Sequence, residues 1–308
     1  HMIMSKDEYL ITDAPLKALT VFAMPMILGS FFQQIYNMAD SIIVGQFVGS
    51  SALAAVGACA ALTNVFICVA LGAGVGAGVL VSRCFGAKEY GKMKTIVSTS
   101  LISFLLLSIL LGIFGFCFSH AMMSGLQTPA DILEKAVLYL RVYFVGFPFL
   151  FMYNILSTMF TSIGESKIPL GLLIFSSILN IVLDVASIGV LHMGVEGPAW
   201  ATVISQGVSG VLCLFYMMKH FEILRIRKEE WRIEGRYIVT LCNMGVPMGL
   251  QYSITAVGSV ILQTAVNSLG SMAVAAVTAG SKVAMFFCCM FDACLLYTSP
   301  SPRDRSVS

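Results

Sequence analysis

Charge is what this chain has least of. Asp, Glu, Lys and Arg make up 11% of its 308 residues and hydrophobic residues 58%, where soluble domains run at about 25% and about 45–50%. That balance excludes a soluble globular enzyme with an ordinary charged surface. Histidine is nearly as scarce: His1, His120, His192 and His220 are the whole set, and none belongs to an HExxH pattern. No GxSxG elbow occurs. The nine cysteines include no CxxC pair, and the adjacent Cys288 and Cys289 suit neither an ordinary disulfide nor a zinc site. GAKEYGKM, Gly86–Met93, comes near a phosphate-binding loop. Met93, however, stands where a magnesium-binding hydroxyl belongs, and an apolar run precedes it instead of a strand. Basic residues between 225 and 236 are interleaved with Glu222, Glu229, Glu230 and Glu234, the pattern of a solvated connector and not of a nucleic-acid site. No enzyme activity, resident cofactor or nucleic-acid partner is expected.

What the chain has in quantity is long apolar runs. They cover Leu16–Val44, Leu53–Val81, Ile96–Phe118, Leu138–Ile163, Pro169–Leu191, Gly197–Tyr216, Tyr237–Val266 and Ala273–Met290. Most reach the roughly 20 residues that a helix needs to cross a bilayer. The expected fold class is therefore all-α, a polytopic protein with eight spans in a lipid bilayer. Lys and Arg gather at Arg83–Lys94, Lys167 and Lys219–Arg236, while the alternate loops Gly45–Ser51, Met193–Glu196 and Asn267–Ser271 carry none. By the positive-inside rule the N-terminus is cytoplasmic. The first run follows acidic residues and is too long for a signal peptide. Pro25, Pro148 and Pro247 are expected to kink their helices.

An internal repeat organises these runs. GSSALAAV at Gly49–Val56 matches GSMAVAAV at Gly270–Val277 at an offset of 221 residues, and PMIL at Pro25 pairs with PMGL at Pro247. Each match closes one span and opens the next. Six spans precede Tyr237, so both copies start on the same side: parallel halves, six plus six, with two helices of the second present. A whole protein would run to roughly 440 residues. The division expected is an N-terminal segment (1–14), a six-helix lobe (15–218), a cytoplasmic linker (219–236) and two helices of a second lobe (237–293). Beyond these, 294–308 resembles translated sequencing-adapter read-through, and His1-Met2 reads as a scar or a fragment edge; both are set aside.

Against this apolar background a few polar groups stand out. Gln33, Tyr36, Asn37 and Asp40 fall at i, i+3, i+4 and i+7 on span one. Span five carries Ser176, Ser177, Asn180, Asp184 and Ser187, and span six Thr202, Ser205, Gln206 and Ser209. Such stripes can simply join helices, since interhelical hydrogen bonds contribute roughly 0.6–2 kcal/mol each. The hydroxyls fit that role well. Asp40 and Asp184 fit it poorly, because neither has an obvious basic partner at its depth, and ionisable groups inside spans mark ion or substrate paths. Two outcomes remain open. Desolvation and mutual repulsion make the pair a proton carrier, or a hard monovalent cation neutralises them, with Asn180 and Thr202 completing an oxygen shell. Arg141 lies near a span end and can snorkel. Lys282 lies deeper, with a salt bridge and a substrate contact both open to it. GAGVGAG at Gly72–Gly78 reads as a close-packing face, Gly72/Gly76 and Gly74/Gly78 each four apart.

PMILGSFFQQIYNMADSIIVG with ALAAVG, the Gly86-Ala87 turn, SSILNIVLDV and GPAWATVISQ together resemble the multidrug and toxic compound extrusion (MATE) family, from about Pro15 to Phe291. The resemblance implies an antiporter with twelve helices in two lobes, in the plasma (inner) membrane of a prokaryotic cell. It would export cationic or amphipathic organic compounds in exchange for Na⁺ or H⁺, working as a monomer. It places the coupling ion at Asp40, Asn180, Asp184 and Thr202 with Tyr36 nearby; Na⁺, if it is the ion, would sit on Asp40, Asn180 and Asp184. Gln33, Asn37, Gln206 and Gln251 are the polar candidates for substrate. Thr255 stands where some members carry an acid in span seven, which leaves Gln251 as the better polar candidate there. A lipid-linked oligosaccharide flippase, and a scaffold or receptor without transport, are the alternatives. The first should expose basic groups inside its cavity, and the first six spans offer only Arg141.

Overall fold

The computed structural model describes residues 14–221, 226, 231 and 233–298. The expected N-terminal segment apart from Ala14, most of the charged connector and residues 299–308 lie outside the described residues. Among the described residues nine α-helices follow one another: α1 Pro15–Ile43, α2 Ser50–Gly86, α3 Tyr90–Gly125, α4 Leu133–Val145, α5 Phe147–Ser162, α6 Lys167–Val185, α7 Glu196–His220, α8 Gly235–Asn267 and α9 Ser271–Thr298. Two π-helical turns extend α1 and α6, π1 at Val44–Val48 and π2 at Ala186–Val190. No strand occurs among the described residues.

Six of these helices are long and apolar enough to cross a membrane, and a seventh span is made if the bent pair α4–α5 is counted as one. The expected fourth span is thus broken. Its two halves meet at 52° around Gly146, and the cause is local. Pro148 sits in the first turn of α5 without an N–H, so the carbonyl of Phe144 loses its helical partner. That carbonyl faces Gly112 of α3, where an added Cβ would lie 2.9 Å from it. The Phe144 ring lies against Gly115, and Val203 of α7 packs against Gly146. Phe66, Tyr143, Phe147 and Phe151 close around the same corner, with Phe66 and Phe144 meeting edge-to-face, centroids 4.7 Å apart. Pro25 and Pro247 lie inside α1 and α8, each of which is one helix through its proline. The last apolar run, expected to give out near Phe291, continues as helical backbone to Thr298.

In hydrocarbon each backbone and hydroxyl group must find its partner within the protein. Many of the serines and threonines do so by returning their proton one turn back along their own helix. Thr158 donates to Asn154 O at 2.9 Å, Ser162 to Thr158 O at 2.6 Å, Ser177 to Leu173 O at 2.7 Å and Thr278 to Val274 O at 2.7 Å. A carboxylate has no proton to return, so the hydroxyls of the polar stripes are cheap to bury and the two acids are not.

The glycine-rich stretch of α2 serves two neighbours. Gly72 and Gly76 admit the α8 backbone, since added Cβ atoms would lie 2.8 Å from Gly249 Cα and 3.0 Å from Gly245 N. Gly74 and Gly78 admit α5, with Thr158 Oγ1 and Ser162 Oγ 3.2 and 2.9 Å from such atoms. GAKEYGKM joins two helices, α2 ending at Gly86 and α3 starting at Tyr90. The repeat also has a backbone counterpart. Gly49 and Gly270 both adopt positive φ, +116° and +101°, and each opens the helix that follows, a conformation glycine reaches without steric cost.

Candidate functional site

The site grows from two helices that pack on each other, α1 and α6. Asp40 lies four residues before π1 and Asp184 two residues before π2, and the two π turns touch. Such turns are rare and frequent at functional sites. This register brings the carboxylates of Asp40 and Asp184 face to face, close enough to hydrogen-bond once one of them holds a proton. As two carboxylates both are acceptors, and neither bonds the other. Asp184 is fully buried and Asp40 half-buried, with Asp40 Oδ1 itself out of reach of solvent.

Asn180, one turn before Asp184 and 1% exposed, is fixed by the neighbouring helix α7. Its Nδ2 donates to Thr202 Oγ1 at 3.2 Å and Ser205 Oγ at 3.3 Å. Those hydroxyls in turn donate to Pro198 O and Ala201 O at 3.1 and 2.7 Å. The amide protons are therefore spent on α7, and the oxygen is left over. The result is a cluster of buried oxygens without a hydrogen-bond partner: Asp40 Oδ1, both Asp184 oxygens and Asn180 Oδ1, with Gln206 Oε1 and Ser209 Oγ also unsatisfied. An orphaned buried acceptor costs about 1–3 kcal/mol, more when charged. Oxygen atoms only, two of the three side chains anionic, suit a hard cation or a proton.

The structure sorts the residues singled out by spacing. Asp40, Asn180 and Asp184 come together, with Thr202 behind Asn180 as its anchor. Tyr36, one turn before Asp40, is within electrostatic reach of both acids. Asn37 is half-buried on the same stripe, its carbonyl accepting from Ser41 Oγ at 2.9 Å. Gln206 is buried on α7, whereas Gln33 and Gln251 are exposed on α1 and α8. Arg141 is exposed over the Phe116 ring, 5.9 Å from its centroid.

Spacing did not single out Tyr139 of α4, which lies within electrostatic reach of Asp40 and Tyr36, or Tyr153 of α5, within reach of Tyr36. Both stand in apolar runs as ordinary core aromatics do. The one sequence signal is the pair Tyr139 and Tyr143, one turn apart on the same helix face.

Long apolar helices with an acid pair buried between two of them place the chain in a class, the polytopic helical membrane proteins. Residues 25–186 match the family model MatE, and the chain belongs to that family. It is 33% identical over 259 residues to the probable multidrug resistance protein YpnP of Bacillus subtilis, covering 83% of this chain and 57% of that protein. With the multidrug export protein MepA of Staphylococcus haemolyticus it shares 25% identity over 284 residues, 91% of this chain and 63% of the relative. The solved structure of the MATE multidrug transporter DinF-BH superposes with a TM-score of 0.87 at 24% identity, covering 93% of this chain and 64% of that one. The chain thus spans about 60% of the length of the relatives it matches.

Proposed function

We propose that this chain is the larger part of a secondary antiporter that exports small cationic or amphipathic organic compounds in exchange for Na⁺ or H⁺. The observation that carries the proposal is the set of unpartnered buried oxygens on Asp40, Asn180 and Asp184. A small cation, or a proton shared between the carboxylates, satisfies them and removes the cost of burying charge. Coupling follows if the occupied and empty pairs favour different arrangements of α1 against α6, because a ligand moves an equilibrium only through its differential affinity for the two states. Tyr36 and Tyr139 line the pair, and Asn37 and Gln206 continue the polar stripes towards the organic substrate. The relatives' names, a multidrug resistance and a multidrug export protein, support export of several drug-like compounds. Their bacterial origin supports the plasma membrane, and the Lys/Arg distribution a cytoplasmic N-terminus.

A scaffold role leaves the two acids without a use, and the one basic group that the first six spans offer a flippase, Arg141, is exposed. The test is gradient-driven efflux of a fluorescent organic cation from cells expressing the full-length protein. Asp40→Asn and Asp184→Asn are each expected to abolish it, and retained gradient-driven efflux in either variant overturns the proposal.

A further inference from the structure

Between Leu53 and Tyr216 the apolar runs contain one basic side chain, Arg141 of α4. It lies one turn, about 4.5 Å, past Leu138, where its run begins. Glu134, Leu138, Arg141 and Val145 fall at i, i+4, i+7 and i+11, and all four are exposed. Ala136 and Phe144 lie on another face of α4, buried against α2. The Ala136 carbonyl accepts from Cys59 Sγ at 3.1 Å, and the Phe144 ring meets that of Phe66. The second repeat packs on α1 and α2, so the exposed stripe is turned away from it and towards lipid. Arg141 forms no ion pair among the described residues. Its neighbour is Phe116 of α3, itself 45% exposed, with the guanidinium 5.9 Å from the ring centroid.

A full charge on a lipid-facing helix is costly, and a long side chain lowers the cost by reaching for the headgroup layer. There the anions on offer are phosphates, and a guanidinium meets two of their oxygens at once. The Phe116 ring holds the side chain by its face, so less freedom is lost when a phosphate arrives. Around the guanidinium, Ile113 and Phe116 of α3 with Leu138 and Val145 of α4 are exposed apolar side chains along which an acyl chain can lie. We propose that Arg141, braced on Phe116, binds the phosphate of an anionic phospholipid in the groove between α3 and α4. The net negative charge matters, because the ammonium of a zwitterionic headgroup competes with Arg141 for its own phosphate. The acid pair of α1 and α6 takes no part in this site.

The experiment is fluorescence quenching by brominated lipids in the full-length protein reconstituted into vesicles. One tryptophan is introduced as Leu138→Trp, one turn from Arg141, on a background whose other tryptophans are replaced by Phe. Brominated phosphatidylglycerol and brominated phosphatidylcholine are compared as quenchers. Phosphatidylglycerol is expected to be preferred about fivefold, the effect of one basic group at a charged membrane surface. Val182→Trp is the reference reporter, exposed on a stretch of α6 without a basic residue, and should show no preference. Arg141→Gln removes the preference at Leu138→Trp, and Arg141→Lys, a point charge without the fork, keeps part of it. Inorganic phosphate in the buffer leaves the preference unchanged. The proposal is overturned if Arg141→Gln keeps the parent preference, if the two reporters show equal preference in the parent, or if free phosphate abolishes it. Comparing the two reporters needs no substitution at Arg141, so a folding defect in Arg141→Gln does not decide the outcome.

Discussion

Gly57 and Thr278 meet where α2 crosses α9, and they are the same position in the two repeats, 221 residues apart like Gly49 and Gly270. A Cβ on Gly57 would fall inside the Thr278 side chain. Equivalent residues of two copies touch only near the axis that relates the copies, so the pseudo-two-fold passes through this crossing. The packing of α2 on α8 and of α9 on α1 are then the two contacts it relates. At such an axis there is room for one side chain, and Thr278 has it.

Gly57→Ala is therefore expected to destabilise the chain by about 1–3 kcal/mol, the usual cost of overpacking. Thr278→Gly should restore most of that loss when the two are combined. Thermal unfolding in detergent of both single variants and the double variant checks this, and additive losses would remove the contact from the account.

The α2–α8 seam gives a second expectation. Gly76→Leu forces a side chain onto backbone atoms of α8 that cannot move aside singly, and it should lower the unfolding temperature and spread the elution profile. Gly91→Leu, on α3 with open space around its Cβ direction, should leave both unchanged. Equal effects at the two sites would show that glycine loss and not helix approach is being measured.

On the proposed cation site, Asn180 would supply a coordinating oxygen and Thr202 would anchor its amide. Asn180→Ala removes the oxygen itself and should weaken cation affinity more than Thr202→Val, which leaves Ser205 to hold the amide. For the anchor a loss of roughly tenfold is expected, as for groups that orient ligands. Cation titration of efflux in the full-length protein ranks the two variants, and a Thr202→Val defect larger than that of Asn180→Ala reverses the assignment.

The segment after α3 clasps the second repeat. Asn267 Nδ2 donates to Leu126 O at 2.9 Å, and Ser271 Oγ to Asp131 Oδ2 at 2.5 Å. Asn267→Ala should cost about 1 kcal/mol of stability, and Asp131→Cys/Ser271→Cys should cross-link readily. If the cross-linked full-length protein still exports at the parent rate, this clasp stays closed through the cycle.

Much of this molecule was legible along the chain. Asp40, Asn180 and Asp184 announce themselves because an ionisable or amide group is conspicuous in an apolar run, and the stripe periodicity places them on one face each. The two glycine pairs of α2 were readable from their spacing of four. Gln33 shares the face of Asp40 and yet is exposed, because it lies two turns, about 10 Å, earlier along α1, and periodicity gives the face of a residue and not which helices pack on it at that height. Tyr139 reads as core because Leu138 and Leu140 flank it; only the tertiary structure brings it within electrostatic reach of Asp40.

The amino-acid sequence by itself determined the helical membrane class, the repeat and the depth of the acids, since hydropathy and helical period depend on neighbours in the chain. The tertiary structure alone decided three things: the bend at Gly146, the meeting of Asp40 with Asp184 and the orientation of the Asn180 amide. Each of these depends on how helices distant in sequence rotate and cross, and that is set by which side chains, such as Thr278 on Gly57, fill the space between them.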